Sequence, residues 1–176
     1  MIPVGILCVL FAFLYTAGPY PLAYHGWGDI LVIVFFGFVP VGCTYYVMGH
    51  GWNTAVTMGS LACGLTIDTL LMVNNFRDRD QDRQSGKKTL VVRLGAKAGL
   101  ILYFLLGLVA CWCCFYFIGL GKPLAAILPQ IYLLPHILTT MKMARIHQGK
   151  ALNAILGETS RNILIFGMLL TIGLAL

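Results

Sequence analysis

Acidic residues are scarce in this sequence, since Asp and Glu together number 6 among 176 residues and charged residues of both signs make up only 10%. Hydrophobic residues account for 59%, and the mean hydropathy is +0.86. Typical soluble domains carry about 25% charged residues. The shortage of charge therefore excludes an ordinary soluble domain and predicts an integral membrane protein.

The sequence also lacks the alternation of polar and apolar residues that a membrane barrel needs in segments of roughly ten residues. Residues 30–36, for example, are apolar throughout. Helices are the remaining way to satisfy backbone hydrogen bonds in lipid. The predicted fold class is all-α, a polytopic membrane helix bundle of about six transmembrane helices, with apolar stretches at residues 4–14, 30–48, 54–73, 98–118, 124–140 and 163–176. The first and last are shorter than the roughly 20 residues that cross a bilayer.

Basic residues are confined to a few connections between these stretches. Seven lie between the third and fourth stretches and four between the fifth and sixth, while Lys122 stands alone. The positive-inside rule places both basic loops in the cytoplasm, and helix alternation puts the Gly- and Pro-rich connection 15–29 there too. We therefore expect three loops to meet at the cytoplasmic face of the cell membrane, with His50 and Trp52 at the outer boundary.

Three of the six acids fall within residues 74–82, at the end of the third apolar stretch. If that helix continues to Gly86, where a glycine favours a helix end, Asn74, Asp78 and Asp82 share one face at i, i+4 and i+8. They then span about 12 Å of helix. Asp80 points to nearly the opposite side, where we expect it to pair with nearby arginines in solvent.

Oxygen ligands spaced in this way suit Mg²⁺, which takes one or two carboxylates together with substrate phosphates. Four basic residues of the same segment can bind phosphate oxygens: Arg77, Lys87, Lys88 and Arg93. This combination at a membrane edge predicts a ligand with a phosphate head and a lipid tail. The alternative is a charged juxtamembrane helix whose acids and bases pair with one another and with anionic headgroups.

The run from Asn74 to Gly95, with the pattern NNxRDxxxDxxxGKxTLxVRLG, resembles the second acidic motif of the UbiA superfamily of membrane prenyltransferases. Within the superfamily it is similar to the MenA branch, which prenylates 1,4-dihydroxy-2-naphthoate in menaquinone synthesis. Further similarity extends the resemblance over essentially the whole chain and lies at residues 15–19, 26–29, 36–37, 44–46 and 152–159.

The resemblance implies a nine-helix bundle in which Mg²⁺ bridges two acidic motifs to a polyprenyl diphosphate. The prenyl group passes to 1,4-dihydroxy-2-naphthoate, which loses its carboxylate and gives demethylmenaquinone. By matching positions, Asn74, Asp78 and Asp82 are expected to hold Mg²⁺. The expected partners are these two substrates and membrane lipids, with no nucleic acid, and the residues expected to bind substrate are Asn75, Arg77, Lys87, Lys88 and Arg93.

Asp68 lies within the third apolar stretch, where an acid is costly and usually faces the bundle interior or water. On an ideal helix it lies about 40° from Asp82 and about 80° from Asp78. We consider it a candidate catalytic residue that hydrogen-bonds the acceptor's hydroxyl or receives its proton. The alternative is an internal partner for Thr or Ser on a neighbouring helix.

The family's first acidic motif has no counterpart in this sequence, since no acid precedes Asp29. We therefore expect residues 1–176 to form a single UbiA-type transmembrane domain that is incomplete at its N-terminus and corresponds to helices four to nine. These residues alone are expected to lack transferase activity. Two alternatives remain: a family member with another acceptor (4-hydroxybenzoate, haem, a chlorin or homogentisate), or a non-catalytic membrane protein.

Overall fold

The computed structural model describes residues 1–49 and 51–176, and within these ranges the chain is helical without a β-strand. His50, expected at the outer boundary, lies outside the described residues. The predicted class of a helical membrane bundle is confirmed. The helices, in chain order, are α1 (Ile2–Thr16), α2 (Gly28–Val47), α3 (Thr54–Gln84), α4 (Leu90–Leu94), α5 (Ala96–Leu120), α6 (Pro123–Ile146) and α7 (Leu152–Ala175).

Five of these helices, α2, α3, α5, α6 and α7, are long and apolar enough to cross a membrane. Helix α1 is not among them: it is apolar but has only 15 residues, and none of these residues is buried. It lies at the edge of the bundle, against the 3₁₀ turn Leu22–His25. A short first stretch was expected from the sequence.

The last helix differs from its prediction, because α7 begins at Leu152 rather than near residue 163. Polar residues in its first turns made this segment look like a loop. Two of them are buried instead: Thr159 lies 2.9 Å from the Tyr103 hydroxyl, and Asn162 donates to Thr139 at 3.0 Å. Hydrogen bonds to neighbouring helices thus allow polar residues inside an apolar bundle.

The long helix α3 is the axis of the bundle and contacts α2, α4, α5 and α7. It begins at Thr54, and the preceding Asn53 is a stabilising N-cap whose side chain accepts a hydrogen bond from the Val56 amide at 3.0 Å. Its 31 residues rise about 46 Å, more than the roughly 30 Å of a hydrocarbon core. It therefore runs past Val73 as predicted, and Gly86 at φ 77° turns the chain away. The part of α3 that extends beyond the length of a hydrocarbon core carries the acidic run.

Two glycines allow α2 to approach α3 closely. A Cβ placed on Gly37 would lie 2.5 Å from the Ser60 carbonyl oxygen, and one on Gly64 would lie 2.9 Å from the Ile33 carbonyl oxygen. Both neighbours are backbone atoms, which cannot rotate away. Small residues permit backbone contact between membrane helices, and here they set the distance between α2 and α3.

We expect Gly64→Ala to destabilise the protein by about 1 to 3 kcal/mol, the usual range for overpacking. Gly59→Ala is the matched control, because it lies on the same helix and its Cβ would meet only the Phe117 ring, at 3.9 Å. Thermal unfolding in detergent measures both variants. Equal melting temperatures for the two would contradict the close approach of α2 and α3.

Candidate metal and phosphate site

Arg77 brings together two of the predicted metal ligands at the end of α3. Its Nη2 donates to Asn74 Oδ1 at 2.6 Å and to Asp78 Oδ2 at 2.7 Å, while its Nε donates to Asp78 Oδ1 at 2.7 Å. Its Nη1 donates to Asn153 Oδ1 on α7 at 3.0 Å. The guanidinium, predicted to bind phosphate, thus holds both carboxylate oxygens of Asp78 and joins α3 to α7.

Asp82, the third predicted ligand, forms a separate pair one turn further along α3. Lys87 Nζ lies 3.3 Å from both of its carboxylate oxygens, and the Lys87 amide donates to the Asp82 carbonyl at 2.9 Å. Asp82 is buried, whereas Asp78 and Arg77 are partly exposed. The turn through Gly86 therefore folds a lysine back over the last acid of the run.

The donor set of this site suits a hard cation, since Asn74, Asp78 and Asp82 offer only oxygen atoms. Over residues 1–49 and 51–176, no three or more His, Cys, Asp or Glu side chains are grouped as metal ligands. An ion here would need further oxygens, which Mg²⁺ commonly takes from water and substrate phosphates. The residues present fit Mg²⁺ in donor chemistry, and Arg77 and Lys87 occupy the same oxygens in this structure.

The other residues predicted to bind substrate lie in different surroundings. Asn75 is buried within the bundle, whereas Lys88 and Arg93 are exposed. Arg93 Nη2 donates to the His25 carbonyl at 2.8 Å, and the Lys88 amide donates to the Tyr24 carbonyl at 2.8 Å. Hydrogen bonds from Lys88 and Arg93 therefore also hold the connection between α1 and α2 against the segment that follows α3.

A second connection, between α6 and α7, reaches the same end of the bundle. Gln148 Nε2 donates to Asp80 Oδ2 at 2.8 Å, and Arg79 Nη2 lies 3.4 Å from His147 Nδ1. Asp80 was expected to pair with nearby arginines, and this expectation is wrong. Its hydrogen-bond partner is Gln148, which lies in a different loop and could not be identified from the local sequence. The predicted meeting of three loops at one end is present in the structure, while its cytoplasmic side stays a prediction.

Asp68 is buried in the middle of α3, and its Oδ1 has no hydrogen-bond partner among the described atoms. The same holds for Oδ1 of Asp29, at the start of α2. Asp29 was not singled out from the sequence, where it appeared to end a polar loop. The one available signal was that it is an acid followed directly by a long apolar run.

The comparisons of this chain with protein families and with known proteins agree with one another. The model of the UbiA prenyltransferase family matches residues 1–173. A 1,4-dihydroxy-2-naphthoate octaprenyltransferase from Haemophilus influenzae is 43% identical over 109 residues, covering 62% of this chain and 35% of that protein. The protein of the same name from Escherichia coli is 45% identical over 91 residues, covering 52% and 30% respectively.

A third protein with this name, from Mycobacterium tuberculosis, is 37% identical over 129 residues, covering 64% of this chain and 42% of its own length. The chain thus spans less than half the length of each of these three relatives. No solved structure matches significantly.

The meeting of the loops predicts a specific cross-link. The Lys88 amide lies 2.8 Å from the Tyr24 carbonyl oxygen, so the two backbones are adjacent. Tyr24→Cys combined with Lys88→Cys should therefore form a disulfide on mild oxidation. Tyr24→Cys with Lys122→Cys is the control, because Lys122 follows the far end of α5. Peptide mass spectrometry identifies the linked pair, and its absence would contradict this arrangement.

Proposed function

This chain belongs to the UbiA prenyltransferase family, and we propose that it carries the diphosphate-binding part of a Mg²⁺-dependent enzyme that prenylates 1,4-dihydroxy-2-naphthoate. The acceptor loses its carboxylate as CO₂, and the product is a prenylated naphthoquinol, the reduced form of demethylmenaquinone. The names of the relatives and the form of the acidic run support this acceptor over others in the family. The proposed location is the cell membrane, with the acidic run on the cytoplasmic side.

The observation that carries this proposal is the row of oxygen donors on the projecting end of α3, with two cations beside them. Asn74, Asp78 and Asp82 follow one another at intervals of one turn, and Arg77 and Lys87 lie within hydrogen-bond distance of them. A polyprenyl diphosphate has a charged head for such a site and a tail for the apolar bundle. A charged juxtamembrane helix whose acids and bases only pair with one another has no need for oxygen donors aligned on one face in this way.

Each of these residues has a distinct part in the proposed reaction. Asn74, Asp78 and Asp82 would hold Mg²⁺, which when bound stabilises the negative charge that develops on the leaving diphosphate. Arg77 then exchanges its carboxylate partner for phosphate oxygens, which a guanidinium binds bidentately. Lys87 adds a second positive charge beside Asp82. Positioned charges of this kind lower the barrier because they need little reorganisation during the reaction.

Asp78→Asn and Asp82→Asn should each lower Mg²⁺-dependent transfer by on the order of 100-fold, because each removes a charge that holds the metal. Asp80→Asn is the matched control, since Asp80 lies in the same run but bonds Gln148. The variants are made in an active membrane enzyme that includes these residues. The rate of prenyl transfer is then measured as a function of Mg²⁺ concentration. An equal loss in all three variants, or transfer that persists in chelator, would count against this metal site.

A second expectation concerns these 176 residues expressed by themselves. The resemblance requires two acidic motifs and this sequence has one, so we propose that the 176 residues alone do not catalyse transfer. The test is menaquinone content in a bacterial strain that lacks its naphthoate prenyltransferase, with a full-length relative as the positive control. Menaquinone produced by the 176 residues alone would overturn this expectation.

A further inference from the structure

Arg77 has a hydrogen-bond partner on a second helix, the neutral side chain of Asn153 on α7. Its other side-chain partners among the described residues, Asn74 and Asp78, lie on α3 itself. The proposed function gives Arg77, Asn74 and Asp78 a part in binding the diphosphate and gives none to Asn153. The geometry of the guanidinium shows what the contact with α7 does.

Asp78 and Asn153 bind to different parts of the guanidinium. Nε and Nη2 form one edge of the group and donate to the two carboxylate oxygens of Asp78, both at 2.7 Å. Nη1 lies outside this edge and donates to Asn153 Oδ1 at 3.0 Å. A guanidinium binds a phosphate through one such edge, with two parallel hydrogen bonds. A phosphate can therefore replace Asp78 on the Nε and Nη2 edge while Nη1 stays on Asn153.

The position of Asn153 is fixed by its neighbours on α7. Leu152 and Ile155 are buried, and both belong to an apolar cluster with Met72 and Phe76 of α3. Asn153 itself is exposed. Because water competes for its groups, an exposed hydrogen bond contributes little to a junction that apolar contacts already hold. The bond from Arg77 to Asn153 is therefore better suited to orienting the guanidinium than to joining the two helices.

The chemistry of the Asn153 side chain also suits this role. A guanidinium has only donors, so the amide oxygen must face it, as it does in the structure. An amide oxygen accepts a hydrogen bond without a net charge, and the positive charge of Arg77 is therefore left for a phosphate. A carboxylate in the same place would neutralise Arg77 and repel a diphosphate.

We propose that Asn153 is a positioning residue, which holds Nη1 of Arg77 so that the Nε and Nη2 edge of the guanidinium is presented to the diphosphate. This inference rests on the proposed function, which assigns Arg77 to the phosphate oxygens. A flexible arginine loses rotamer entropy when it binds a phosphate, and an arginine already held at Nη1 loses less. Helix α7 thereby contributes to a site whose other proposed residues lie on α3 and the segment that follows it.

The test uses an active membrane enzyme that includes these residues and measures the binding of an unreactive thio analogue of a polyprenyl diphosphate in the presence of Mg²⁺. Asn153→Leu has a similar size but no acceptor, and it should raise the Kd of the analogue by about 3- to 10-fold, the effect of one hydrogen bond. The KM for polyprenyl diphosphate should rise by a similar factor. The KM for the naphthoate and the melting temperature in detergent should not change.

Asn153→Asp separates a positioning role from a purely structural one. The aspartate keeps the size and the acceptor and can form an ion pair with Arg77, so the melting temperature should be unchanged or higher. Its negative charge competes with the diphosphate for Arg77, so the Kd of the analogue should rise by on the order of 10-fold or more. A residue that only joined α3 to α7 would allow equal binding with Asp and with Asn, and that result would overturn the inference.

Gln148→Leu controls for the loss of a polar contact at the same end of the bundle, because it removes the hydrogen bond to Asp80 of α3, which is not a proposed ligand. Its Kd for the analogue should equal that of the wild type, and a loss as large as that of Asn153→Leu would overturn the inference.

Arg77→Gln tests the proposed function separately, because it removes the guanidinium itself. Unchanged binding of the analogue by Arg77→Gln would show that the proposed role of Arg77 is wrong. Weakened binding by Arg77→Gln, together with normal binding by both Asn153 variants, would overturn only the positioning role of Asn153.

Discussion

The constraint on which this structure depends is that a carboxylate in an apolar environment needs a partner. Four of the six acids have one at the loop-bearing end of the bundle: Asp78 pairs with Arg77, Asp82 with Lys87, Glu158 with Lys142, and Asp80 with Gln148. The remaining two, Asp29 and Asp68, keep a buried oxygen without a partner among the described atoms. The acids thus divide into a paired set at the end of α3 and an unpaired set deeper in the bundle.

The long helix α3 connects these two sets. Its apolar part, held close to α2 by Gly37 and Gly64, carries Asp68, and its projecting part carries Asn74, Asp78 and Asp82. A rigid helix fixes the distances between them, which suits a reaction that must hold two substrates in one orientation. The loops attached to its end have a structural role as well, because the Lys88 amide and the Arg93 guanidinium donate hydrogen bonds to the connection between α1 and α2.

The sequence predicted best what depends on local pattern. The continuation of α3 past Val73 and its end at Gly86 follow from helix periodicity and a glycine turn, and both are present. The predicted start of α7 was wrong because the polar residues Thr159 and Asn162 are typical of a loop. Their burial depends on hydrogen-bond partners from other helices, which the local pattern does not show. Asp29 was missed for the same reason, since its burial depends on how α2 packs against the rest of the bundle.

The central claim is that the end of α3 binds a diphosphate through Mg²⁺. The most direct measurement is a structure of the membrane protein with Mg²⁺ and an unreactive thio analogue of a polyprenyl diphosphate. We predict metal density against Asn74, Asp78 and Asp82, with Arg77 moved from Asp78 to the phosphate oxygens. Diphosphate bound elsewhere, with the Arg77 to Asp78 pair intact, would contradict the account.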